Sequence, residues 1–210
     1  MKKTTESIVV KILSIALIVS VASAFPACKK KSKVPTREEF LKEHRNDPDP
    51  HGIKNFDFDY EDLIDAWGNS DTSKSYGASA VWKCGDKYIV VGARPDDTNK
   101  IEEMYVSYTQ ELVYLFSNAS VIYVCKREDG VTDYNNCIML TDEDIDEEIR
   151  KNLVQGSILQ IEFDGYFLAS YPGQVSTIYS AKAIGQVDES EIPSLQEQEK
   201  YIRDNYTGSQ

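Results

Sequence analysis

The sequence predicts an α+β fold, in which a small helix-on-antiparallel-sheet unit precedes a small curled β-barrel with one inserted helix. Short runs of β-branched and aromatic residues, separated by Gly, Asp and Asn turns, recur along residues 78–184 and indicate strands. Helical spacing of apolar residues behind an N-cap residue is confined to short segments. At 210 residues and 41% hydrophobic content, the chain is long enough for one medium domain or two small ones.

Residues 1–27 have the features of an export signal. Three lysines in the first eleven residues precede an uncharged apolar run over 12–24, too short to span a bilayer. Two processing sites compete: cleavage after Ala24 would release a soluble protein, whereas residues 25–28, Phe-Pro-Ala-Cys, resemble a bacterial lipobox. We expect acylation of Cys28, because a cysteine between an apolar run and a polar tether is what a lipid anchor requires.

The charges that follow fit a protein held at a membrane but away from its surface. Four lysines next to Cys28 would each be favoured by about 1 kcal/mol at an anionic leaflet: Lys29, Lys30, Lys31 and Lys33. The net charge of -12 argues against a nucleic-acid partner. We therefore expect membrane contact through the lipid anchor and these lysines, on the extracytoplasmic face, with secretion as the alternative.

A tether over 28–55 and a first folded unit over 56–116 come next. Within the tether, Thr36 can cap a short helix over 37–44. In the first unit, the pattern predicts a helix over 60–67, capped by Asp59 and ended by Gly68. Strands are predicted over 78–82, 87–93 and 101–108, and the segment 111–116 is ambiguous between strand and helical turn.

The tryptophans of this unit belong to a sequence pattern that resembles a known module. The pattern of Leu63, then Trp-Gly-Asn-Ser-Asp at 67–71, then Trp82 resembles a module of small exported lipoproteins with a BamE/SmpA or β-lactamase-inhibitor-protein layout. In that module a helix ends in Trp-Gly-Glu-Pro-Asp and a second Trp begins the sheet, so Asn69 and Ser70 depart from it. The resemblance implies a helix packed on an antiparallel sheet.

The second unit is predicted over 117–187. Strands are expected over 119–127, 136–140, 157–163, 166–170 and 177–184, with a helix over 142–153 capped by Thr141. The Asp-Gly dipeptide at 164–165 is a two-residue hairpin signal. Short strands with one inserted helix suggest an OB-like β-barrel. Residues 188–210 form a polar tail, in which Ser194 and Glu197 can cap a short helix.

A second resemblance covers the end of this unit. The segment Gly-Ser-Ile-Leu-Gln-Ile-Glu-Phe-Asp-Gly at 156–165, with Tyr-Pro-Gly-Gln-Val at 171–175, resembles the C-terminal domain of uncharacterised exported proteins of Gram-positive bacteria. In those proteins a strand ending in Tyr-Asp-Gly leads to Glu-Ser-Tyr-Pro-Ala-Gln-Ile. Ala169 and Gly173 depart from that motif. The family carries no assigned activity, so the resemblance implies a domain type and no reaction.

The cysteines of the second unit allow a disulfide. Cys125 and Cys137 flank the turn signal Glu-Asp-Gly at 128–130, so they can lie on opposite arms of one hairpin. Export would make a disulfide between them possible. Two half-buried thiols remain the alternative. No Cys-x-x-Cys occurs, which excludes a thioredoxin motif and a zinc ribbon.

Few residues suited to catalysis are present. The two histidines, His44 and His51, both lie in the tether, which excludes Ser-His-Asp and Cys-His systems and three-His zinc sites unless the tether folds back. Glu162 and Asp164 share a strand face and could form a glycosidase-like pair, although a solvated sheet face is the simpler interpretation.

The acidic run at 141–148 imitates the start of a calcium loop. Glu147 occupies the position that requires Gly, and Leu153 the position that requires the bidentate Glu, so an acidic helix start is the better interpretation. No Gly-rich phosphate loop occurs either. We expect neither a metal nor a cofactor.

The tyrosines offer the remaining candidates for a ligand site. OB-like barrels bind sugars or oligonucleotides through exposed rings, and Tyr166, Tyr171 and Tyr179 lie in the corresponding region. We therefore expect a non-catalytic cell-envelope binding or scaffolding protein whose partner is an envelope protein or a glycan. The alternatives are a carboxylate-dependent hydrolase of cell-wall sugars and an inhibitor-like protein.

Overall fold

Two sheets joined by one continuous run of chain make up the described part of the protein. The computed structural model describes residues 34–47, 53–71, 79–94 and 97–207. Over these residues, helices accompany a three-stranded antiparallel sheet and a seven-stranded mixed sheet. The predicted α+β class is confirmed. The described residues from Pro35 onward belong to one compact unit.

The smaller sheet and its helices follow the prediction closely. Its elements are helix α1 (Arg37–His44), helix α2 (Tyr60–Trp67) and strands β1 (Ser79–Cys84), β2 (Lys87–Arg94) and β3 (Asp97–Val106). The strands are antiparallel and ordered β1-β2-β3. The expected helix on an antiparallel meander is therefore present.

The helix ends were predictable because their signals are local. Thr36 and Glu39 form a capping box at the start of α1, and Asp59 and Asp62 form one at the start of α2. Gly68 follows α2 with φ of 78°, a left-handed conformation that glycine adopts without a steric penalty.

The two tryptophans lock the helices to the smaller sheet. Their rings meet edge to face, with centroids 5.5 Å apart. Trp82 Nε1 donates to the carbonyl oxygen of Gly68 at 3.0 Å, and Trp67 Nε1 donates to that of Pro35 at 2.8 Å. Phe40 of α1 is buried beside Trp67. Residues 35–47 of the predicted tether are thus packed against the folded body.

The chain passes from the smaller sheet to the larger one at a single residue. Ser107 separates β3 from β4 (Tyr108–Asn118), and β4 pairs with strands of the larger sheet on both sides. The ambiguous segment 111–116 is therefore strand. The change of sheet comes at Ser107, ahead of the boundary between 116 and 117 that the sequence suggested.

The larger sheet contains seven strands. They are β4 and six further strands: β5 (Val121–Glu128), β6 (Val131–Thr141), β7 (Ser157–Phe163), β8 (Phe167–Leu168), β9 (Gly173–Val175) and β10 (Ile178–Gln186). Their spatial order is β10-β7-β4-β5-β6-β9-β8, with β9 parallel to β6 and the other pairs antiparallel. Over the described strands, β10 and β8 are the two edges, so the expected OB-like barrel is not closed.

The Asp-Gly hairpin is a wrong prediction. β7 pairs with β4 and β10, and the chain after residue 165 makes the β8–β9 excursion before it returns as β10. Gly165 has another role: a Cβ there would lie 2.3 Å from Cε2 of Tyr108, and its φ is +87°. The glycine thus permits both a left-handed turn and the close approach of the Tyr108 ring.

The predicted helix over 142–153 is largely turn. Helix α3 spans only Glu147–Lys151. The Asp144 carboxylate accepts hydrogen bonds from the backbone N–H and the hydroxyl of Thr141, which gives the chain an alternative to helix at this point. The apolar residues of the predicted helix nevertheless pack against the core, since Ile145 is buried and Ile149 and Leu153 lie against the same cluster.

The C-terminal helix is longer than predicted and starts earlier. A 3-10 turn (Glu189–Glu191) leads into helix α4 (Ile192–Tyr206), so Ser194 is not its N-cap. Leu195 and Ile202 of α4 cover one face of the larger sheet, and Ile145 and its neighbours cover the other. Among the described residues, no helix has the length and apolar character needed to cross a membrane.

Candidate functional site

A buried polar cluster lies where the chain passes between the two sheets. It consists of Lys87, Ser107, Thr109 and Glu162. Lys87 is the first residue of β2, and Ser107 is the junction residue. Thr109 of β4 is directly opposite Glu162 of β7. Strand pairing therefore brings together residues that are far apart in the sequence.

The four residues of the polar cluster satisfy one another's hydrogen-bonding groups. Lys87 Nζ donates to Glu162 Oε2 at 3.1 Å, to the carbonyl oxygen of Ser107 at 3.1 Å, and to Thr109 Oγ1. Ser107 Oγ donates to Glu162 Oε2 at 2.7 Å, and Thr109 Oγ1 donates to Oε1 at 2.6 Å. The Lys87 and Glu162 side chains are each 10% exposed. This is a paired internal charge of the kind that proteins tolerate.

The interpretation of Glu162 and Asp164 as residues of a solvated face is wrong. Glu162 is 7% and Asp164 6% exposed. Lys87 of the smaller sheet contacts Glu162, and Tyr105 of the smaller sheet and Tyr179 of β10 line the cavity that Asp164 borders. Alternation along β7 correctly separates Glu162 from the apolar Ile161 and Phe163, and Asp164 follows the last residue of the strand. It does not reveal what lies over the acidic face.

A cavity of about 440 Å³ borders the polar cluster at Thr109 alone, and two others are lined by more of its residues. One, of about 330 Å³, is lined by Thr109 and Glu162 together with charged and aromatic neighbours: Lys83, Asp86, Tyr88 and Lys182 among them. The other, of about 170 Å³, is lined by Lys87, Ser107 and Thr109 and by residues at the end of α1 and just after it, here called the α1 segment (residues 44–47). The lining groups carry both signs of charge.

The α1 segment brings one histidine to the second cavity. His44 lines it together with Asp47 and Ser107, so the premise that the tether stays away from the folded body is wrong for this residue. The three do not form a Ser-His-Asp arrangement. Ser107 Oγ donates to Glu162 and accepts from the N–H of Tyr88, and no hydrogen bond in the described chain joins it to His44. His44 Nδ1 lies 3.6 Å from Asp47 Oδ2.

A second feature, the tyrosine cavity, lies just beyond the C-terminal end of β7. It has a volume of about 240 Å³, and Tyr105, Asp164, Tyr166 and Tyr179 line it. Tyr105 and Tyr179 are buried, and their hydroxyl oxygens are 3.4 Å apart. Asp164 Oδ1 accepts the backbone N–H of Tyr166 at 3.1 Å. The Tyr166 side chain is about half exposed (49%), which places an aromatic ring at the mouth of the cavity.

The electrostatics of the tyrosine cavity keep both buried phenols neutral. Burial, reinforced by the nearby Asp164 charge, raises the pKa of Tyr179 to about 12, although its hydrogen bond with Tyr105 works in the opposite direction. Burial, the neighbouring Tyr179 and the Asp164 charge raise the pKa of Tyr105 well above its usual range. The phenols therefore stay hydrogen-bond donors at neutral pH.

The three tyrosines named from the sequence fall into two places. Tyr166 and Tyr179 share the tyrosine cavity. Tyr171 lies elsewhere, edge to face with Tyr206 of α4 at 5.1 Å, and Tyr206 in turn contacts Tyr201. All three rings of this second group are more than one third exposed.

The two cysteines of the second unit are direct neighbours. Cys125 of β5 and Cys137 of β6 are Cα partners in the antiparallel pair, and their Sγ atoms are 3.4 Å apart. Both are buried, and both are free thiols in this structure. The predicted hairpin is confirmed.

Several predicted residues lie outside the described residues: Ala24, Cys28, Lys29, Lys30, Lys31, Lys33 and His51. Within the described ranges, no group of three or more His, Cys, Asp or Glu side chains is arranged to hold a metal ion.

Sequence reasoning missed Lys87, Ser107, Thr109 and Tyr105. One signal was available, since Glu162 is the single charge in the apolar strand run 157–163 and a buried acid requires a partner. The identity of that partner depends on a pairing over 75 residues of sequence, which no local pattern reveals.

The chain has no match among protein-family models, curated proteins or solved structures. The two family resemblances drawn from the sequence therefore stay predictions.

Proposed function

We propose that this chain is an exported protein of the bacterial cell envelope, lipid-anchored through Cys28, that binds a partner without catalysing a reaction. The apolar leader, the lipobox-like residues 25–28 and the lysines that follow support the anchor. The localisation is the extracytoplasmic face of the cell membrane.

We place ligand binding at the tyrosine cavity. The observation that carries this choice is the combination of one half-exposed ring, Tyr166, with a buried carboxylate, Asp164, and two buried phenols in one cavity. Ligand sites are typically concave and mostly apolar, with a few fixed polar groups that set orientation. Hydrogen bonding of Asp164 to the backbone of Tyr166 holds these two groups together.

The ligand class that fits this cavity is one sugar ring of an envelope glycan. A sugar offers an apolar C–H face for the Tyr166 ring and hydroxyl groups for Asp164 and the phenols. The volume of about 240 Å³ is smaller than the roughly 300–1,000 Å³ of drug-sized pockets, which suits a single ring. The net charge of -12 disfavours a nucleic-acid ligand.

The polar cluster supports a binding role over a hydrolase. In a glycosidase-like pair, each carboxyl group must reach the scissile bond or a water molecule. Both oxygens of Glu162 are instead occupied by Lys87, Ser107 and Thr109. Glu162 is thereby assigned to holding the two sheets together.

Co-sedimentation with purified peptidoglycan tests this proposal. The wild-type protein is expected to sediment with the glycan, and Tyr166→Ala to bind roughly tenfold more weakly, because truncating a central aromatic contact costs more than about 1 kcal/mol. Tyr166→Phe keeps the ring and should keep most of the binding. Tyr201→Ala is the matched control, since Tyr201 is similarly exposed (47%) but lies on α4.

Four results would contradict the proposal. Absence of wild-type binding, or equal binding by Tyr166→Ala, would remove the tyrosine cavity as the site. Loss of binding in Tyr201→Ala alone would move the site to the exposed rings of Tyr171, Tyr201 and Tyr206. Release of reducing sugars by the wild type, abolished in Asp164→Asn, would indicate the hydrolase.

A further inference from the structure

Two buried thiols face each other across neighbouring strands of the larger sheet. Cys125 and Cys137 are directly opposite in the β5–β6 pair, with side chains on the same face. Their relative exposures are 0% and 1%, and their Sγ atoms are 3.4 Å apart. A single tight turn at Asp129 and Gly130 joins the two strands that carry the cysteines.

This placement satisfies the requirements of a disulfide. Directly opposite residues of an antiparallel pair have Cα atoms about 4.5 or 5.5 Å apart. Disulfides span Cα separations of about 4.4–6.8 Å. Two cysteines at such positions, with Sγ atoms already in contact, can be joined without moving either strand.

We propose that Cys125 and Cys137 form an intramolecular disulfide when the protein folds outside the cytosol. The proposal is independent of the ligand and of the tyrosine cavity. It assigns a covalent link to a pair of residues that the sequence left open between a bridge and two separate thiols.

The oxidant is a disulfide-bearing molecule such as oxidised glutathione or a disulfide-exchange protein. The Cys137 thiolate attacks one sulfur of that disulfide and displaces the other as a thiolate. Cys125 then loses its proton and attacks Sγ of Cys137, which releases the second thiolate. One protein disulfide forms, one external disulfide is reduced to two thiols, and two electrons pass to it.

The surroundings indicate Cys137 as the attacking sulfur. The pKa of Cys137 is lowered chiefly because its Sγ accepts a hydrogen bond from the Cys125 thiol, a contact that the paired strands β5 and β6 make without α4. In the folded protein, Nε2 of Gln198 donates to the same sulfur. The pKa of Cys125 is raised because it donates that hydrogen bond and is itself buried. The two thiols therefore differ in the way that an attacking and a resolving cysteine differ.

Helix α4 covers this pair. Leu195 and Ile202 of α4 belong to the same apolar cluster as the two cysteines, and Gln198 of α4 contacts Cys137 Sγ at 3.1 Å. Oxidation therefore precedes the docking of α4 during folding, because an external disulfide cannot reach buried thiols.

The bridge also stabilises the part of the hairpin that holds the start of α4. The β5–β6 register shifts immediately beyond the cysteines, so that Lys126 pairs with Asp133. At this end of the hairpin Arg127, Thr132 and Tyr134 all donate to the Glu191 carboxylate, at 2.7–3.2 Å. In the oxidised protein we therefore expect slower amide hydrogen exchange in α4 than in the reduced protein.

Peptide mapping of the exported full-length protein tests the proposal. Cells expressing the chain with its own leader are denatured directly in N-ethylmaleimide, and the protein is digested with trypsin without reductant. Trypsin cuts after Lys126 and Arg127, so Cys125 and Cys137 fall in the separate peptides 101–126 and 128–150. The expected product is these two peptides joined by a disulfide, with Cys84 alkylated in peptide 84–87 as the internal control.

A refolding experiment separates the disulfide from export. Reduced, denatured protein lacking residues 1–27 is refolded with oxidised glutathione, and the joined peptides are expected with release of reduced glutathione. Cys84→Ser should retain the joined peptides, whereas Cys125→Ser should leave glutathione attached to Cys137. Alkylation of both Cys125 and Cys137, when the refolded protein or the protein recovered from the membrane is denatured in N-ethylmaleimide, would overturn the proposal. The protein could instead stay in the cytosol as uncleaved precursor with free thiols, while the joined peptides form on refolding in vitro. That result would contradict export and support the disulfide.

Discussion

Removal of the Lys87 ammonium group from the polar cluster should lower the free energy of unfolding by more than the removal of an ammonium group from any surface lysine. The substitution Lys87→Met keeps the length and most of the apolar stem of the side chain but leaves Glu162 without its cation. Glu162 would retain only Ser107 and Thr109 as donors, in a site where its side chain is 10% exposed. Breaking one partner of a buried ion pair costs about 3–5 kcal/mol, because the remaining charge stays desolvated.

The assay is urea or thermal unfolding followed by circular dichroism. For a domain of 150–250 residues, 1 kcal/mol corresponds to about 2–4 °C, so Lys87→Met should lower Tm by about 6–20 °C. The double variant Lys87→Met/Glu162→Gln should recover part of this loss, since it removes the unpaired charge as well. Lys151→Met is the matched control: the Lys151–Glu147 pair is 70% exposed on both sides, and its loss should cost less than about 1 kcal/mol.

Two results would refute this reasoning. A loss in Lys87→Met no larger than in Lys151→Met would show that Glu162 is not held in a low-dielectric site. A double variant less stable than Lys87→Met would show that the carboxylate itself, without its cation, stabilises the contact between the sheets.

Two further predictions concern Glu191 and Gly165. Partial burial acts to raise the pKa of Glu191, but the hydrogen bonds from Thr132, Arg127 and Tyr134 outweigh it, so the pKa lies below the usual range of a glutamate. The stabilisation from Glu191 is therefore present above the ordinary glutamate pKa of about 4.3 and is lost as pH falls through the lower pKa of the folded state. Glu191→Gln should reduce stability at pH 7 and flatten the acid side of a pH–stability profile, and an unchanged profile would contradict the network. Gly165→Ala should lower the free energy of unfolding by about 1–3 kcal/mol more than Gly130→Ala. Both glycines have positive φ, but only a Cβ at residue 165 would meet the Tyr108 ring. Equal losses of stability in urea unfolding would contradict that contact.

The local signals in the sequence were sufficient for the first unit. Thr36, Asp59 and Gly68 act on neighbouring backbone groups, so the bounds of α1 and α2 could be read directly. Alternation likewise identified the strands around Val90 and Ile161, and the short turn at 128–130 identified the hairpin that aligns the cysteines.

The parts that failed depend on contacts distant in sequence. No local sequence signal near residue 107 indicates that the chain changes sheets there, because β3 and β4 both have ordinary strand sequences. The Asp-Gly signal at 164–165 was real as a turn but could not specify that β7 pairs with β10. Burial of Glu162 and Asp164 follows from the elements packed over β7, so the candidate site became visible only with the tertiary arrangement.

The most direct test of the account is mass spectrometry of the N-terminal peptide from protein expressed with its own leader and purified from membranes. The account predicts that the mature chain begins at Cys28 and carries acyl groups on that residue. A mature protein that begins at Phe25 without modification, or an intact precursor in the cytosol, would contradict it.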